Sequence, residues 1–136
     1  MYSIGELAKR TGVKIPTIRY YEQLGLIDAA GRSDGNQRRY GEAGMARLSF
    51  IRHARDLGFS IADIRELVAL SDHPSRPCGD AHGIAARHLD RIRARMARLG
   101  RLEHELERIL ACDAQTVADC AVIETLADHD QCLDEH

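Results

Sequence analysis

The chain has 136 residues, enough for one compact domain or for a small domain with an extended helical appendage. Its formal net charge at pH 7 is −2, from 19 Lys and Arg and 21 Asp and Glu side chains. It has no apolar run that could span a bilayer and no cationic start followed by an apolar core and a cleavage site. A soluble, cytoplasmic protein without a membrane partner is therefore expected.

The net charge hides an uneven distribution along the chain. Residues 1–55 contain ten Lys and Arg side chains but only five acidic ones. Residues 110–136 contain seven acidic side chains and no Lys or Arg. A basic head with an acidic tail suggests one surface for a polyanion and another for a cation, although two solvated surfaces would have the same composition.

A helix-turn-helix is predicted at the start of the chain. Ser3 and Glu6 have the spacing of a capping box, and Gly12 is placed to end the first helix in a tight turn. A second helix is predicted over residues 15–23, with Pro16 in its first turn, where proline costs little. The second helix of such a pair enters the major groove of DNA. Its outward residues are expected to be Lys14, Thr17, Arg19 and one of the adjacent tyrosines, Tyr20 or Tyr21.

A basic hairpin is predicted next. Asp34 and Gly35 form a strong turn signal, and Arg38, Arg39 and Tyr40 follow them directly. A basic hairpin beside a recognition helix is a wing, which holds DNA mainly through phosphates. Each element alone is common, but the three occur in this order between residues 3 and 41, which favours DNA binding.

Three segments, YSIGELAKRTGVKIPTIRYYEQLGLI, NQRRY and DLGFSIADIREL, cover roughly residues 1–70. Together they resemble the DNA-binding head of the MerR family of transcription regulators. The resemblance implies a mainly α-helical homodimer with a winged helix-turn-helix head that distorts a two-fold symmetric promoter, so that RNA polymerase can read it once an effector is bound. By motif position, the implied DNA contacts are Arg19, Tyr20 or Tyr21, Arg38 and Tyr40.

A long helix is predicted after a connector over residues 71–81, which contains two prolines and a glycine. From about residue 82 to 110, apolar residues recur at alternating steps of three and four, apart from Glu103. Such a narrow seam indicates a coiled coil, and the chain offers no second helix of similar length to pair with it. The resemblance implies an antiparallel dimer here. The seam residues are Ala85, Leu89, Ile92, Met96, Leu99, Leu106 and Leu110.

Cysteines flank this predicted helix, and in such a chain they are more often metal ligands or redox groups than disulfides. A helix over residues 82–110 would be roughly 42 Å long, so Cys78 and Cys112 of one chain cannot share an ion bonded to sulfur at about 2.3 Å. An antiparallel partner would bring Cys78 of one chain beside Cys112 of the other, which predicts two sites per dimer.

Cys112 and Cys120 must also converge for such a site to form. The helix is therefore expected to end near Ala111, and residues 112–120 to fold back as a loop. A short amphipathic helix containing Val122, Ile123 and Leu126 is predicted to follow, with Cys120 near its N-terminus, where the helix dipole favours a thiolate. His129, Cys132 and His136 could supply a fourth ligand or a weaker second site.

Three convergent thiolates select soft or borderline ions such as zinc, cadmium, lead, mercury or copper(I). The metal-sensing branch of the MerR family is similar, and in that branch a cysteine at the position of Cys78 accompanies sensors of divalent ions. Zinc, cadmium or lead is therefore favoured. The seven residues between Cys112 and Cys120 resemble a copper-sensor loop equally well, so a copper(I), silver or gold sensor is an alternative.

Alternatives of other classes are weaker. A zinc enzyme would need an open coordination position and a positioned base, and the sequence contains no HExxH or comparable motif, so no enzyme is predicted. A DNA-binding dimer without an effector is the strongest rival. The chain is accordingly divided into a DNA-binding head (1–70), a connector (71–81), a dimerisation helix (82–111) and a metal-binding loop with an acidic tail (112–136).

Overall fold

The computed structural model describes residues 1–111 and 116–128, and these are mainly helical, as predicted. The chain divides into two units, Met1–Ala85 and the residues from Ala86 onward. The helices are α1 (Ile4–Thr11), α2 (Ile15–Gln23), α3 (Glu42–Asp56), α4 (Ile61–Ser71), α5 (Gly79–Leu110) and α6 (Ala121–Ala127). The strands are β1 (Tyr2–Ser3), β2 (Gly31–Arg32) and β3 (Arg38–Tyr40), and a 3₁₀ turn covers Val117–Asp119.

The predicted helix-turn-helix is confirmed by α1 and α2. Ser3 and Glu6 form the capping box: the Ser3 hydroxyl accepts a hydrogen bond from the Glu6 N–H at 3.1 Å, and the Glu6 carboxylate accepts one from the Ser3 N–H. Helix α1 ends at Gly12, whose φ of 73° is left-handed, and α2 begins with Pro16 in its first turn. These local signals therefore fix the entry, the turn and the start of the second helix.

Gly12→Ala is expected to lower the free energy of unfolding by about 1–2 kcal/mol, because a residue with a Cβ is strained in the left-handed region. The new Cβ would also displace the guanidinium of Arg52, which donates to the Thr11 carbonyl. Urea unfolding followed by circular dichroism measures the loss. Gly5→Ala is the matched control: its Cβ would meet only Ser3 Oγ, at 3.9 Å, so unchanged or raised stability is expected. Equal changes in the free energy of unfolding for Gly12→Ala and Gly5→Ala would contradict this explanation.

The predicted hairpin is confirmed, although its left-handed residue was not foreseen. Strands β2 and β3 pair antiparallel, with Gly31 opposite Arg39 and Arg32 opposite Arg38. Asp34 and Gly35 lie in the turn, but Asn36 takes the positive φ, at 64°. Asparagine tolerates this conformation better than other residues with a side chain, so the turn needs no glycine there.

Strand β1 was not predicted, and it makes the hairpin three-stranded in the order β1-β3-β2. Tyr2 lies opposite Tyr40, and its hydroxyl donates a hydrogen bond to Glu42, which raises the pKa of Tyr2. The guanidinium of Arg10 lies 4.9 Å from the centroid of the Tyr2 ring, a distance suited to a cation–π contact. The start of the chain is thereby attached to the hairpin, to α1 and to α3.

The core of the first unit is built from α1, α2, β3, α3 and α4, with the loops that follow α1 and α2. Helix α3, which was not predicted from the sequence, contributes Leu48 and Ile51, both fully buried. In α4, Ile64 is fully buried, and Val68 is buried in the same core. The complete set of buried core residues is Leu7, Val13, Ile18, Tyr21, Leu26, Ile27, Tyr40, Leu48, Ile51, Ala54, Ile64 and Val68.

Helix α5 was predicted from about residue 82, and it begins three residues earlier, at Gly79. Its predicted end is confirmed, because the helix stops at Leu110 and Ala111 lies in a turn. The short helix predicted after the loop is also confirmed as α6, with Cys120 as its N-cap residue. Within the part of the chain that the structure describes, no helix is both long and apolar enough to cross a membrane.

Candidate nucleic-acid interface and thiol positions

Helix α2 presents a polar, basic face to solvent. Lys14 and Arg19 are exposed and Thr17 is partly exposed, whereas Ile18 on the opposite side is fully buried. Among the described residues, neither the Lys14 nor the Arg19 side chain has a hydrogen-bond or ion-pair partner in the protein. Their positive charges are therefore available to an external anion, as a recognition helix requires.

Burial distinguishes the two adjacent tyrosines, a question that the sequence left open. Tyr20 is 48% exposed, whereas Tyr21 is 6% exposed and belongs to the core. Their ring centroids are 6.0 Å apart and the planes are inclined at 45°, so the buried ring supports the exposed one. Tyr20 is the tyrosine that an external partner can reach, and Tyr21 is withdrawn from the set of candidate contacts.

The wing residues also separate by burial. Arg38 is exposed and Arg39 is partly exposed, as a phosphate-binding hairpin requires. Tyr40, predicted as a DNA contact, has no exposed surface, and its hydroxyl donates a hydrogen bond to Glu22. That prediction is corrected: Tyr40 points inward from β3, so in this conformation it packs in the core and its side chain cannot touch DNA.

Several other arginines of the head act within the fold. Arg52 donates to the Thr11 carbonyl at the end of α1, and Arg65 donates to the Leu24 carbonyl after α2 at 2.9 Å. Arg47 forms an ion pair with Asp72 at 2.5 Å. Because carbonyls at helix ends lack partners within the helix, arginines that cap them stabilise the helix-turn-helix. Nothing in the local sequence distinguishes these structural arginines from the exposed ones.

Glu22 is a further functional residue, and it was not predicted from the sequence. It lies in the last turn of α2, and its carboxylate accepts hydrogen bonds from Arg38 and from Tyr40, both on β3. The recognition helix and the wing are thus joined through one side chain. The only sequence signal is an acidic residue in a basic region, and the two partners are 16 and 18 residues away.

Two of the predicted thiols lie in the described residues. Cys78 is exposed and immediately precedes α5, on the rim of a pocket of about 320 Å³ that is also lined by Phe50, Leu70 and Pro77. Cys120 is partly buried at the N-cap of α6, directly after the 3₁₀ turn, in which the Thr116 hydroxyl lies 3.2 Å from the Asp119 carboxylate. The remaining candidate ligands, Cys112, His129, Cys132 and His136, lie outside the described residues.

The described residues of a single chain do not complete a metal site. Nowhere in 1–111 and 116–128 do three or more His, Cys, Asp or Glu side chains come together in an arrangement that could hold an ion. The chemistry of the two located thiols nevertheless fits a soft or borderline ion, because sulfur ligands suit such ions and both thiols are at least partly exposed. A complete metal site would therefore need ligands beyond those that the described residues of one chain bring together.

The apolar seam of α5 is open along the second unit. Most of the predicted seam residues expose between 36% and 72% of their surface, namely Leu89, Ile92, Met96, Leu99, Leu106 and Leu110. Ile109, by contrast, is only 4% exposed. An exposed stripe of this length on a helix is typical of a face that a second helix covers.

Comparison with known proteins identifies the family. Residues 2–70 match the family model "MerR HTH family regulatory protein", and residues 45–109 match "MerR, DNA binding". The HTH-type transcriptional regulator ZntR of Escherichia coli (strain K12) is 41% identical over 130 residues, 93% of this chain and 92% of that protein. Heavy metal-dependent transcription regulator 2 of Rhizobium meliloti (strain 1021) is 38% identical over 126 residues, 92% and 86% of the two chains.

A solved structure supports the same assignment. The crystal structure of the transcription regulator PbrR691 from Ralstonia metallidurans CH34 in complex with lead(II) superposes with a TM-score of 0.82 at 37% identity. The match covers 93% of this chain and 99% of that one. These proteins regulate transcription, in agreement with the prediction that the chain is not an enzyme. The predicted resemblance is confirmed: the chain belongs to the MerR family of DNA-binding transcription regulators.

Proposed function

We propose that the protein is a homodimeric, metal-responsive regulator that activates metal-resistance or efflux genes when a divalent soft metal is bound. The observation that carries this proposal is that Cys78 directly precedes α5 and Cys120 caps α6, the helix that follows α5 in the chain, in a protein similar over most of its length to a heavy metal-dependent regulator and to a lead(II)-bound regulator. In this proposal residues 1–70 bind DNA, residues 82–111 dimerise and residues 112–136 respond to metal.

The proposed DNA contacts are the exposed polar residues of the head. Helix α2 would enter the major groove, and the wing would hold the adjacent phosphates. Two such heads in a symmetric dimer fit a two-fold symmetric operator, and RNA polymerase at the same promoter is the further partner. The proposed set is Lys14 at the N-cap of α2, Thr17, Arg19 and Tyr20 on α2, and Arg38 and Arg39 on the wing.

The exposed seam of α5 supports antiparallel dimerisation. Burial of a leucine side chain contributes about 1.5–3 kcal/mol to the free energy of association. In a two-fold symmetric dimer every such contact occurs twice. In the antiparallel arrangement, Cys78 of one chain would approach the loop of the other. The ion would then be held by Cys112 and Cys120 with Cys78 of the partner subunit.

Metal binding would join the two chains through thiolates, and this supplies a means of regulation. A site made from both chains links metal occupancy to the arrangement of the two heads, because an ion stabilises the arrangement in which its ligands converge. Affinity is expected to rise with pH, because binding releases protons from the thiols. Zinc, cadmium and lead are the favoured ions, since three thiolates suit a divalent charge, and mercury has similar chemistry.

Cys78→Ser is expected to weaken the binding of divalent ions by at least about 100-fold, because the substitution removes a ligand from each site. Competition titrations of the purified dimer with zinc, cadmium, lead and copper(I) against a chromophoric chelator measure the change. Cys132→Ser serves as the comparison, and a similar loss there would add the tail thiol to the ligand set. Strong divalent binding that survives Cys78→Ser would contradict the proposed site.

The same titrations separate the divalent sensor from the copper(I) sensor, and an assay of promoter output separates both from a DNA-binding dimer without an effector. A copper(I), silver or gold sensor fits the seven residues between Cys112 and Cys120 equally well. It requires tight copper(I) binding in the unaltered protein, with weak divalent binding that does not depend on Cys78. The DNA-binding dimer without an effector requires that no metal salt changes promoter output and that Cys112→Ser has no effect on it.

A further inference from the structure

A single carboxylate connects the recognition helix with the wing. The side chain of Glu22 is only 9% exposed, although it carries a charge on a surface rich in arginine. One of its oxygens, Oε2, accepts from Arg38, and the other, Oε1, accepts from the hydroxyl of Tyr40. Both oxygens of a largely buried carboxylate are thus committed to neighbouring residues of β3.

The two partners of Glu22 differ in whether they can also reach an external phosphate. Tyr40 is fully buried, so its hydrogen bond fixes the Glu22 carboxylate against the core. The side chain of Arg38 is 48% exposed, and Glu22 engages it through the single nitrogen Nη1. A guanidinium has five N–H donors in a rigid plane, so the remaining donors of Arg38 are free to reach a phosphate.

A carboxylate at this position carries an electrostatic cost for a DNA-binding protein. Glu22 repels nearby phosphates and neutralises part of the charge of Arg38, so a surface that relied on charge alone would bind DNA more tightly without it. The compensating benefit is orientation: a guanidinium held on one side loses less rotational freedom when it binds an anion on the other.

We infer that Glu22 is a positioning residue, which orients Arg38 for phosphate contact and holds the wing at a fixed place beside α2. Its contribution passes through Arg38 and Tyr40, and it makes no contact with DNA itself. This inference rests on the DNA-binding function of the head and names the residue that organises its two halves.

Whether Glu22→Gln weakens or strengthens DNA binding tests the inference. The substitution keeps the shape of the side chain but removes the negative charge, so electrostatics alone predicts tighter binding to DNA. We expect weaker binding, by about ten-fold, because Arg38 loses a charge-assisted hydrogen bond that sets its orientation. The probe is a fluorescent duplex that the unaltered protein has selected from a random-sequence pool, titrated in anisotropy experiments with the full-length protein.

Two further measurements distinguish positioning from a general loss of structure. The slope of log affinity against log salt concentration should become shallower by about 0.9 for each phosphate that the protein no longer neutralises, which a smaller folded fraction would not cause. In the Arg38→Ala background, Glu22→Gln should have little further effect on affinity. Urea unfolding and the active fraction of each variant confirm that folded proteins are compared.

Asp34→Asn is the matched control, because it removes the same charge from the turn of the same hairpin, away from the Glu22 carboxylate. Its affinity for the duplex should be unchanged or higher. Equal or tighter binding by Glu22→Gln, or an equal loss with and without Arg38, would overturn the inference while leaving DNA binding intact. Failure of the unaltered protein to select any duplex would instead refute the DNA-binding function on which the inference depends.

Discussion

A mixed dimer of one Cys78→Ser subunit and one Cys120→Ser subunit is expected to bind one divalent ion tightly, whereas neither parent homodimer binds any at that strength. The Cys78→Ser subunit keeps an intact loop, and its partner keeps an intact Cys78, so one joint site survives. The second site loses both Cys120 from the loop of one subunit and Cys78 from the other. Two tags of different kinds, purified in sequence, isolate the mixed dimer, and equilibrium dialysis with lead or cadmium counts the ions.

The physical basis is the length of α5. Its 32 residues form one continuous helix, which at 1.5 Å per residue is about 48 Å long. Cys78 directly precedes this helix and Cys112 comes two residues after its end. A rigid helix keeps its own ends apart, so thiols at the two ends can share an ion only across a pair of chains.

The control places the same two substitutions in one subunit. A Cys78→Ser/Cys120→Ser subunit paired with an unaltered one is expected to bind no ion at full strength, because each joint site then lacks one of its thiols. A site contained within a single chain predicts the reverse: one ion in this control dimer and none in the first mixed dimer. Both mixed dimers carry one Cys78→Ser and one Cys120→Ser substitution. A difference in the number of bound ions therefore reflects how the substitutions are distributed between the subunits.

Much of the head could be predicted because its signals are local. The capping box of Ser3 and Glu6, the left-handed turn at Gly12 and Pro16 in the first turn of α2 each depend on residues within four positions of one another. The hairpin follows from the same kind of signal. Strand β1 could not be predicted, because two residues are too few to show a period and its partner, β3, is distant in sequence.

The direction of individual side chains was not predictable in the same way. A helix period shows that Tyr20 and Tyr21 face different directions, but which of them meets the core depends on core residues that are distant in sequence. The basic residues beside Tyr40 likewise gave no indication that its side chain belongs to the core. Structural arginines such as Arg52 look no different in sequence from exposed ones such as Arg19, because their partners are backbone carbonyls 41 residues away.

For the thiol site, the spacing of the cysteines was informative but incomplete. The predicted end of the long helix and the short helix after the loop are both confirmed, and these place Cys120 at an N-cap. Whether Cys112 and Cys120 converge with the partner's Cys78 depends on residues outside the described ranges and on a second chain. Convergence of these thiols is therefore a prediction that metal binding by the dimer must test.

Leu99→Glu is expected to convert the dimer into monomers, weakening association by at least about 100-fold. Leu99 is 63% exposed in the single chain and lies on the α5 seam. Loss of one buried leucine costs about 1.5–3 kcal/mol, and symmetry removes two per dimer, while each new carboxylate would have to leave water. Sedimentation velocity over a range of protein concentrations measures the change.

Because Leu99 is exposed before association, its replacement should leave the fold of each chain intact, and circular dichroism should show the helical content expected of folded monomers. Binding of operator DNA and of divalent metal should both fall with the dimer, since each is proposed to need two chains. Ala94→Glu introduces the same charge at an exposed position of α5 outside the seam, so it should remain dimeric. A Leu99→Glu protein that still sediments as a dimer would show that another surface joins the chains, and the shared thiol site would lose its geometric basis.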